Sequence, residues 1–269
     1  ISARIAEDLE FEIGMLAGSI ASSAVLGAPD LILLALSEFA DLAYRICRAG
    51  NLALLVDADH GYGNALNVRH IVRAYRRAGV AAMQLEDQEF PKRCGHLDGK
   101  SVVSAEAFAE KVGAAAQARR DILIVARTDA KATHGMDEAI RRGRIYKEAG
   151  ADIIFPEALE SEEEFREYAD AVGGPLLANM TEFGKSPYLT TERFQELGYA
   201  IVIFPVTALR IAAKAAELVL TDIKEKGTQV EWVDHMQTRS ELYQHIDYYR
   251  YEEVDKQLSW DKNTQASES

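Results

Sequence analysis

"RAGVAAMQLED", residues 77–87, reads as the end of a helix followed by a buried strand. Gly79 takes the place of the glycine that commonly ends a helix, and the apolar run behind it has the length of a strand that is covered on both faces. The same pattern returns in "EAGADIIFPE" (148–157) and "ELGYAIVIFP" (196–205). Buried strands that each follow a helix predict a parallel sheet with helices on its outer side.

Four further segments bring the number of predicted strands to seven: "EIGMLAGS" (12–19), "LALLVDAD" (52–59), "ILIVARTDA" (122–130) and "PLLANMT" (175–181). Eight strands close a (β/α)8 barrel, and we expect the eighth to precede Ile1, because the chain opens directly with a helix-like segment. The predicted catalytic barrel is 1–210. An open doubly wound sheet is the alternative, which is weakened because no Gly-x-Gly-x-x-Gly turn opens a helix.

The strands stop after residue 206, and the rest of the chain reads as helical. Four tyrosines lie between residues 243 and 251, which is too many for a solvated tail. We therefore predict that the extension 211–259 packs on a neighbouring subunit, with docking on its own barrel as the alternative. The polar residues 260–269 are expected to be disordered.

The composition limits the classes of partner. The 269 residues carry a net charge of −13, and 48% of them are hydrophobic, which suits one large domain with a sizeable core. A surface this acidic excludes nucleic acid and acidic membranes, and a small anionic substrate would need local cations or a metal. Two cysteines and the lack of a long uncharged apolar run predict a soluble protein of the reducing cytoplasm.

Polar residues stand at the ends of five successive predicted strands: Asp57 and Asp59, Glu86 and Asp87, Arg127 and Asp129, Glu157, and finally Asn179 and Thr181. The active site of a βα barrel lies at the carboxyl ends of its strands, so these groups predict a site there. Asp57, Asp59 and Glu86 offer oxygen ligands without companion cysteines or histidines, which favours Mg²⁺, or else Mn²⁺. An aspartate pair that caps the helix after Asn67 is the alternative.

The loop "FPKRCGHLDGK" (90–100) places Cys94 between cations and an imidazole. Zinc binding is unlikely to explain it, since no second Cys/His pair lies nearby, and the loop has no C-x-x-C for disulfide exchange. Thiols ordinarily titrate near pH 8.5, which suits acid or base chemistry at neutral pH. We predict a catalytic role for Cys94, with a buried structural cysteine as the alternative.

These motifs resemble the isocitrate lyase and phosphoenolpyruvate mutase superfamily, and the K-R-C-G-H loop is similar to its lyase branch. The resemblance rests on "VDADHGYGNALNV" (56–68), "LEDQEFPKRCGH" (85–96), "VARTDA" (125–130) and "LLANMTEFGKSP" (176–187). It implies a (β/α)8 barrel, Mg²⁺, and homotetramers that exchange terminal helices. It also implies cleavage of a 2-hydroxy polycarboxylate, 2-methylisocitrate, to pyruvate and succinate in propionate breakdown through the methylcitrate cycle, with Cys94 protonating the succinate carbanion.

By position, the resemblance also implies a set of substrate contacts: Ala17, Gly18, Ser19, Gly95, Arg127, Glu157, Asn179, Met180, Thr181, Arg210 and Arg239. Guanidinium groups suit a tricarboxylate, because they pair with carboxylates through two hydrogen bonds. Ion pairs at the surface are the alternative for Arg210 and Arg239. Phe155 and Ile203 either receive the substrate's extra methyl group or belong to the core.

The first visible strand departs from this pattern. Methylisocitrate-cleaving members of the family typically have Tyr-x-Ser-Gly-Gly where this chain has "MLAGS" (15–19), so Met15 replaces a tyrosine proposed to take part in proton transfer. "MLAGS" is similar to the oxaloacetate decarboxylase branch of the same superfamily. Oxaloacetate decarboxylation, or cleavage of another substituted malate, is therefore the alternative reaction. A barrel that only binds a dicarboxylate as a sensor is the alternative of another class.

Overall fold

The structure, a computed structural model, describes residues 1–97 and 99–267, with side chains as far as Ser259. The chain divides into two units: Glu12–Arg210, and a second unit formed by Ile1–Phe11 together with Ile211–Ser269. Among the described residues, all strands belong to the first unit. No helix in this part of the chain is both long and apolar enough to span a membrane.

All seven predicted strands are present: β1 Ile13–Leu16, β2 Ala53–Asp57, β3 Ala82–Glu86, β4 Leu123–Thr128, β5 Ile153–Pro156, β6 Leu177–Asn179 and β7 Ile201–Ile203. They are parallel and pair in chain order, as a ladder of β1 to β5 and a ladder of β6 and β7. A parallel bridge between Ile154 and Leu176 connects the two ladders. This order has no reversal point, which excludes the doubly wound alternative.

The fold is thus a parallel α/β architecture consistent with a TIM-type barrel. In the described residues β7 and β1 do not pair, so the barrel is not closed by a continuous ladder. The helices of this unit are α2 Gly18–Ala21, α3 Leu36–Cys47, α4 Ala65–Ala78, α5 Ala105–Ala118, α6 Ala130–His134, α7 Met136–Glu148, α8 Glu162–Val172 and α9 Thr191–Glu196, and α10 Thr207–Lys226 begins in it. Gly79, Gly150 and Gly198 have φ angles of 87°, 106° and 87°, which confirms the predicted helix stops.

The helices that follow the strands are capped by residues other than the strand-terminal aspartates Asp57 and Asp59. Asn64 caps α4, since its side-chain oxygen accepts from two backbone N–H groups of the first turn. Asp57 and Asp59 therefore do not cap this helix, which removes the alternative interpretation of the pair. Ser104 and Ser161 cap α5 and α8, since their side-chain oxygens accept from backbone N–H groups of the first turns.

Two apolar clusters stabilise the first unit. The larger one lies between strands and helices, and the smaller one contains Leu55, Val125, Phe155, Leu177 and Ile203. Residues alternate between the two faces along a strand, so this small cluster occupies the side of the strands opposite the helices. Phe155 and Ile203 are thus core residues, and they also line the cavity described below.

The second unit is helical. It contains α1 Ser2–Asp8, most of α10, a 3₁₀ turn Val230–His235, α11 Arg239–His245 and α12 Tyr248–Ser267. Arg4 of α1 donates a hydrogen bond to the carbonyl oxygen of His245. The rings of Tyr243 and Tyr248 stack with their centroids 4.2 Å apart, and Tyr249 packs against both edge-on. Three of the four tyrosines therefore pack on one another, and packing on a neighbouring subunit stays a prediction.

The end of α12 differs from the expected disordered tail. Residues 260–267 continue the helix to Ser267, whereas residues 268 and 269 lie outside the described part of the chain. The segment 248–267 contains no glycine or proline that would stop a helix, although its composition is polar. The polar composition that suggested disorder does not itself prevent a helix.

Candidate active site

The carboxyl ends of the strands surround a cavity in the first unit. Residues from all seven strands or from the loops that follow them line it, among them Met15, Gly18, Asp30, Asp57, Gln84, Glu86, Lys92, Cys94, His96, Arg127, Phe155, Glu157, Asn179, Thr181 and Ile203. Most of the residues predicted from strand ends are among them. The location agrees with the general position of active sites in βα barrels.

An acidic cluster with one cation occupies one side of the cavity. The buried ammonium of Lys92 lies 3.2 Å from an oxygen of Asp30 and 3.9 Å from Asp57, and it contacts Asp59 directly. Burial alone would lower the pKa of Lys92, but the charges of Asp57 and Glu86 raise it well above its usual value. Lys92 is therefore a fixed positive charge among these carboxylates.

Glu86 and Asp59 of the cluster have raised pKa values. Burial raises the pKa of Glu86 to about 8, and Arg127 only partly offsets this effect. Burial and the neighbouring charge of Asp57 raise the pKa of Asp59 to about 6. Asp57 is held by hydrogen bonds instead, because its carboxylate accepts from the backbone N–H of Asp59 at 2.9 Å and of Gly18 at 3.2 Å.

The donor set fits a hard divalent cation. One carboxylate oxygen of Glu86 and the side-chain oxygen of Gln84 are buried without a hydrogen-bond partner, which is costly unless another group binds them. No three His, Cys, Asp or Glu side chains in the described residues converge closely enough to form a complete ligand set as they stand. A cation here would thus take few protein ligands and keep several waters, as Mg²⁺ does.

Proton release should accompany Mg²⁺ binding. Because ligands must be deprotonated, we expect about one proton to be released per Mg²⁺ at neutral pH and the affinity to rise between about pH 6 and about pH 8. The pKa of Glu86 is raised on folding, to about 8, so its contribution to the stability of metal-free protein is present at acid pH and lost as pH rises through that value. Calorimetry in buffers of different ionisation enthalpy measures the protons, and melting curves with EDTA or Mg²⁺ measure the stability. A metal-free melting temperature that does not fall over this range would contradict the expectation.

Arg127 lies at the centre of the opposite side of the cavity. Its Nε and Nη2 donate to the two oxygens of Asp129 at 2.9 and 3.1 Å, and its Nη1 lies 3.0 Å from Glu157. Nε is also 3.5 Å from Glu86, and the guanidinium stands 5.3 Å from the centre of the Phe155 ring. Protein carboxylates thus orient the guanidinium before any substrate arrives.

The cysteine loop covers this arginine. A Cβ atom on Gly95 would lie 2.4 Å from Nη2 of Arg127 and 2.4 Å from Cγ of Glu157, so only glycine permits this approach. Cys94 is exposed in the wall of the cavity, not buried in the core, which removes the alternative of a buried structural cysteine. His96 fastens the loop, since its Nε2 lies 3.1 Å from Glu157 and its Nδ1 accepts from the backbone N–H of Lys185 at 3.0 Å.

The remaining predicted substrate contacts divide into three groups. Ala17, Gly18, Ser19, Asn179 and Thr181 line the cavity, and Asn179 donates to Glu157 at 3.4 Å. The side chain of Met180 is instead buried in the cluster between strands and helices, because strand alternation turns it away from the face that carries Asn179. It is a core residue and does not line the cavity.

Arg210 and Arg239 are not placed in the cavity. Arg210 donates to Glu182, at 2.6 Å to the carboxylate and 2.8 Å to the carbonyl oxygen, so the ion-pair alternative describes it in this structure. Arg239 begins α11 in the second unit, and its role as a substrate contact stays a prediction.

Sequence reasoning missed several residues of the cavity, among them the polar residues Asp30, Gln84, Lys92 and His96. Asp30 follows a turn, not a strand, so it carried no strand-end signal. Gln84 lies two residues before Glu86, and the period of two along a strand could have placed it on the same face. Lys92 and His96 were noticed as neighbours of Cys94, but the sequence did not show which of them faces the carboxylates.

Comparison with known proteins identifies the family of the chain. The model of the phosphoenolpyruvate phosphomutase family matches residues 1–224. Proteins named 2-methylisocitrate lyase from Aeropyrum pernix and Bacillus subtilis are 53% and 48% identical, over 96% of this chain and 83% and 86% of theirs. A crystal structure of 2,3-dimethylmalate lyase, described as a PEP mutase/isocitrate lyase superfamily member, is similar with a TM-score of 0.89 and 35% identity, over 96% of this chain and 87% of that one. The chain therefore belongs to the phosphoenolpyruvate phosphomutase family, within the PEP mutase/isocitrate lyase superfamily.

Proposed function

We propose that the protein is a Mg²⁺-dependent carbon–carbon lyase that cleaves 2-methylisocitrate to pyruvate and succinate, a step of propionate breakdown. One observation carries the proposal: the Cys94 loop lies over a cavity that combines an acidic cluster with the preoriented guanidinium of Arg127. The relatives named 2-methylisocitrate lyase support the choice of substrate. A sensor without turnover is disfavoured, because Cys94, Asp57 and Glu86 all line one cavity.

In the proposed reaction the substrate hydroxyl loses its proton, and the C2–C3 bond breaks to leave a carbonyl group on pyruvate and a carbanion on succinate. Asp57, Asp59 and Glu86 would hold Mg²⁺, which when bound supplies a Lewis acid for the charge that develops on oxygen. Lys92 adds a fixed positive charge beside them. Cys94 donates its thiol proton to the carbanion, and its loop excludes water that would otherwise compete.

Arg127 lines the cavity, and its guanidinium, held in place by Asp129 and Glu157, would orient a substrate carboxylate. Phe155 and Ile203 supply apolar surface in the same cavity for the methyl group that distinguishes 2-methylisocitrate from isocitrate. One methyl group in such a pocket contributes only about 1–3 kcal/mol of discrimination. We therefore expect measurable turnover of close analogues.

A second reaction is supported by Met15, which lines the cavity where a tyrosine is typical of methylisocitrate cleavage. A methionine carries no proton, so the hydroxyl proton must go to another group in this chain. Oxaloacetate decarboxylation starts from a ketone and needs no such step. It is the second candidate function, and cleavage of 2,3-dimethylmalate is a further variant.

A proton NMR time course with Mg²⁺ tests these reactions. We expect pyruvate and succinate to accumulate from 2-methylisocitrate, and EDTA to stop the reaction because the cavity carboxylates would lose their cation. Separate samples receive oxaloacetate and 2,3-dimethylmalate, with a protein-free Mg²⁺ sample as the background control. Pyruvate formed from oxaloacetate alone, above that background, would refute methylisocitrate cleavage and establish the second candidate.

Exposed apolar side chains and free cysteines support a proposal for the assembly and the location of the enzyme. Ile211, Leu220 and Ile223 leave apolar side chains exposed along α10, which suits contact with a neighbouring subunit. We therefore propose that the protein forms a homotetramer in which residues 211–259 pack on a neighbouring copy. Two free thiols support a place in the reducing cytoplasm.

A further inference from the structure

Lys100 connects the cysteine loop (residues 90–100) to Asp129, which follows β4. Its side chain is 1% exposed, its ammonium lies 2.9 Å from an oxygen of Asp129, and it donates to the carbonyl oxygen of Gly95. We propose that Lys100 is a positioning residue that latches the cysteine loop over the cavity by joining Gly95 to Asp129. The contacts of Lys100 exist without substrate, so the latch itself does not depend on the proposed function. Only its expected effect on turnover rests on that function.

Asp129 is a rigid anchor for such a latch. It is fully buried, its backbone N–H donates to Asp87 at 2.9 Å, and its carboxylate is held by the two hydrogen bonds from Arg127. Asp87 is fixed in turn by Thr128, Arg142 and Tyr146, which donate to one of its oxygens at 2.8, 2.9 and 2.8 Å. A chain of buried hydrogen bonds thus runs from α7 to the loop that carries Cys94.

The same carboxylate serves both the loop and the substrate-binding guanidinium. Asp129 accepts from Arg127 on both oxygens and from Lys100 on one of them. Gly95, which Lys100 holds, is the residue whose backbone lies against Arg127. Asp129 therefore anchors both the loop, through Lys100, and the guanidinium of Arg127. Loss of the Lys100 ammonium would free the loop and move Cys94, whereas the hydrogen bonds between Arg127 and Asp129 would remain.

Other contacts within the described residues also hold the loop, and none of them binds the carbonyl oxygen of Gly95. Lys92 fixes the first half of the loop through its ion pairs with Asp30 and Asp59. Gln88 exchanges hydrogen bonds of 2.9 Å with the backbone of Arg93, which fixes the entry to the loop. His96 contacts Glu157 and the backbone of Lys185, which fixes its far side. Lys100 differs because it binds a backbone carbonyl directly beside Cys94, where a small shift changes the position of the sulfur.

The first test measures loop motion without substrate. Hydrogen exchange of the ligand-free full chain, read by mass spectrometry, is compared for wild type, Lys100→Met and Lys131→Met. Lys131 is the matched control, because it is a mostly buried lysine that pairs with two carboxylates, Glu160 and Glu164, and not with Asp129 or Gly95. We expect amides in residues 93–97 to exchange about tenfold faster in Lys100→Met and at the wild-type rate in Lys131→Met.

The second test measures turnover by the same variants. Misplacement of a reacting group by about 1 Å costs on the order of 100-fold, so we expect Lys100→Met to lower kcat by about 10–100-fold with KM changed less than about threefold. Lys100→Gln, which keeps a neutral donor, should fall between Lys100→Met and wild type, and it replaces the methionine variant if that one does not fold. Lys131→Met should keep wild-type kcat.

The outcomes separate the latch from the proposed function. Unchanged exchange at residues 93–97 in a folded Lys100 variant would overturn the latch, whatever the enzyme turns over. Faster exchange together with wild-type kcat would also overturn it, since the loop position would then not matter for turnover. If the wild-type chain cleaves none of the offered substrates, the exchange result still decides whether Lys100 holds the loop.

Discussion

Replacing Cys94 with serine should lower turnover of 2-methylisocitrate by about 10²–10⁴-fold, the contribution usual for a positioned general acid. A serine hydroxyl is similar in size to a thiol but a far weaker acid, so the variant keeps the shape of the loop and loses the proton donor. Cys94 is exposed, and the loop is held through Gly95, Arg93 and His96 rather than through the sulfur. Folding and Mg²⁺ binding should therefore survive. The NMR time course measures turnover, and calorimetry measures the binding of Mg²⁺ and pyruvate.

Cys47→Ser is the matched control for this experiment. Cys47 ends α3, is half-buried, and its Cβ atom packs on the helix stop at Gly79, far along the chain from the loop. It should keep full activity. Near-wild-type turnover by Cys94→Ser would show that another group protonates the carbanion, and it would leave the loop with a role in covering the site only.

The sequence could predict one half of this site because a parallel sheet has simple geometry. Residues at equivalent positions of neighbouring strands lie side by side, and the register pairs Glu86 with Arg127 and Arg127 with Phe155. The position of a polar residue at the end of a predicted strand is therefore enough to predict that it lies in the cavity. The carboxylates, the arginine and the glycine stops all follow from period and position.

The other half depends on loops, whose path the periodicity does not determine. Lys92 and Asp30 meet in an ion pair of 3.2 Å although they are distant in sequence and belong to no strand. Their partnership follows from charge, since a buried group of carboxylates requires a cation. The sequence showed that an acidic cluster needs positive charge but not that the chain provides part of it. The predicted Mg²⁺ and Lys92 would thus share one task, the neutralisation of the negative charge on the buried carboxylates.

Two substrate contacts that the family resemblance implies by position have other partners in this structure. Met180 follows Asn179 directly, so the two side chains point to opposite faces and only one can reach a substrate. Arg210 has a carboxylate partner nearby in Glu182, which satisfies its charge without a substrate. Carrying residues over by position shows neither the face of the strand on which a side chain lies nor its ion-pair partner.

The cost of removing the positive charge at Arg127 should be large. Arg127→Met leaves Asp129, Glu157 and Glu86 buried near one another without their shared cation. Breaking a buried ion pair by removing one partner costs about 3–5 kcal/mol, so we expect a loss of at least that size in the free energy of unfolding at neutral pH. The loss should shrink as pH falls, because protonation of the carboxylates removes their repulsion. Urea unfolding at one protein concentration measures it.

Two variants separate charge from geometry in this result. Arg76→Met removes an arginine that pairs with Asp121 at 3.1 Å in a partly exposed position, so it should cost less than about 1 kcal/mol. Arg127→Lys keeps the charge and loses the planar fork, so it should recover most of the stability while turnover stays low by about 100-fold. If Arg127→Met costs no more than Arg76→Met, the three carboxylates must already be protonated or hydrated in the folded protein. The guanidinium of Arg127 would then contribute to substrate binding but not to the stability of the fold. Its ion pair with Asp129 would not be what orients it for the substrate.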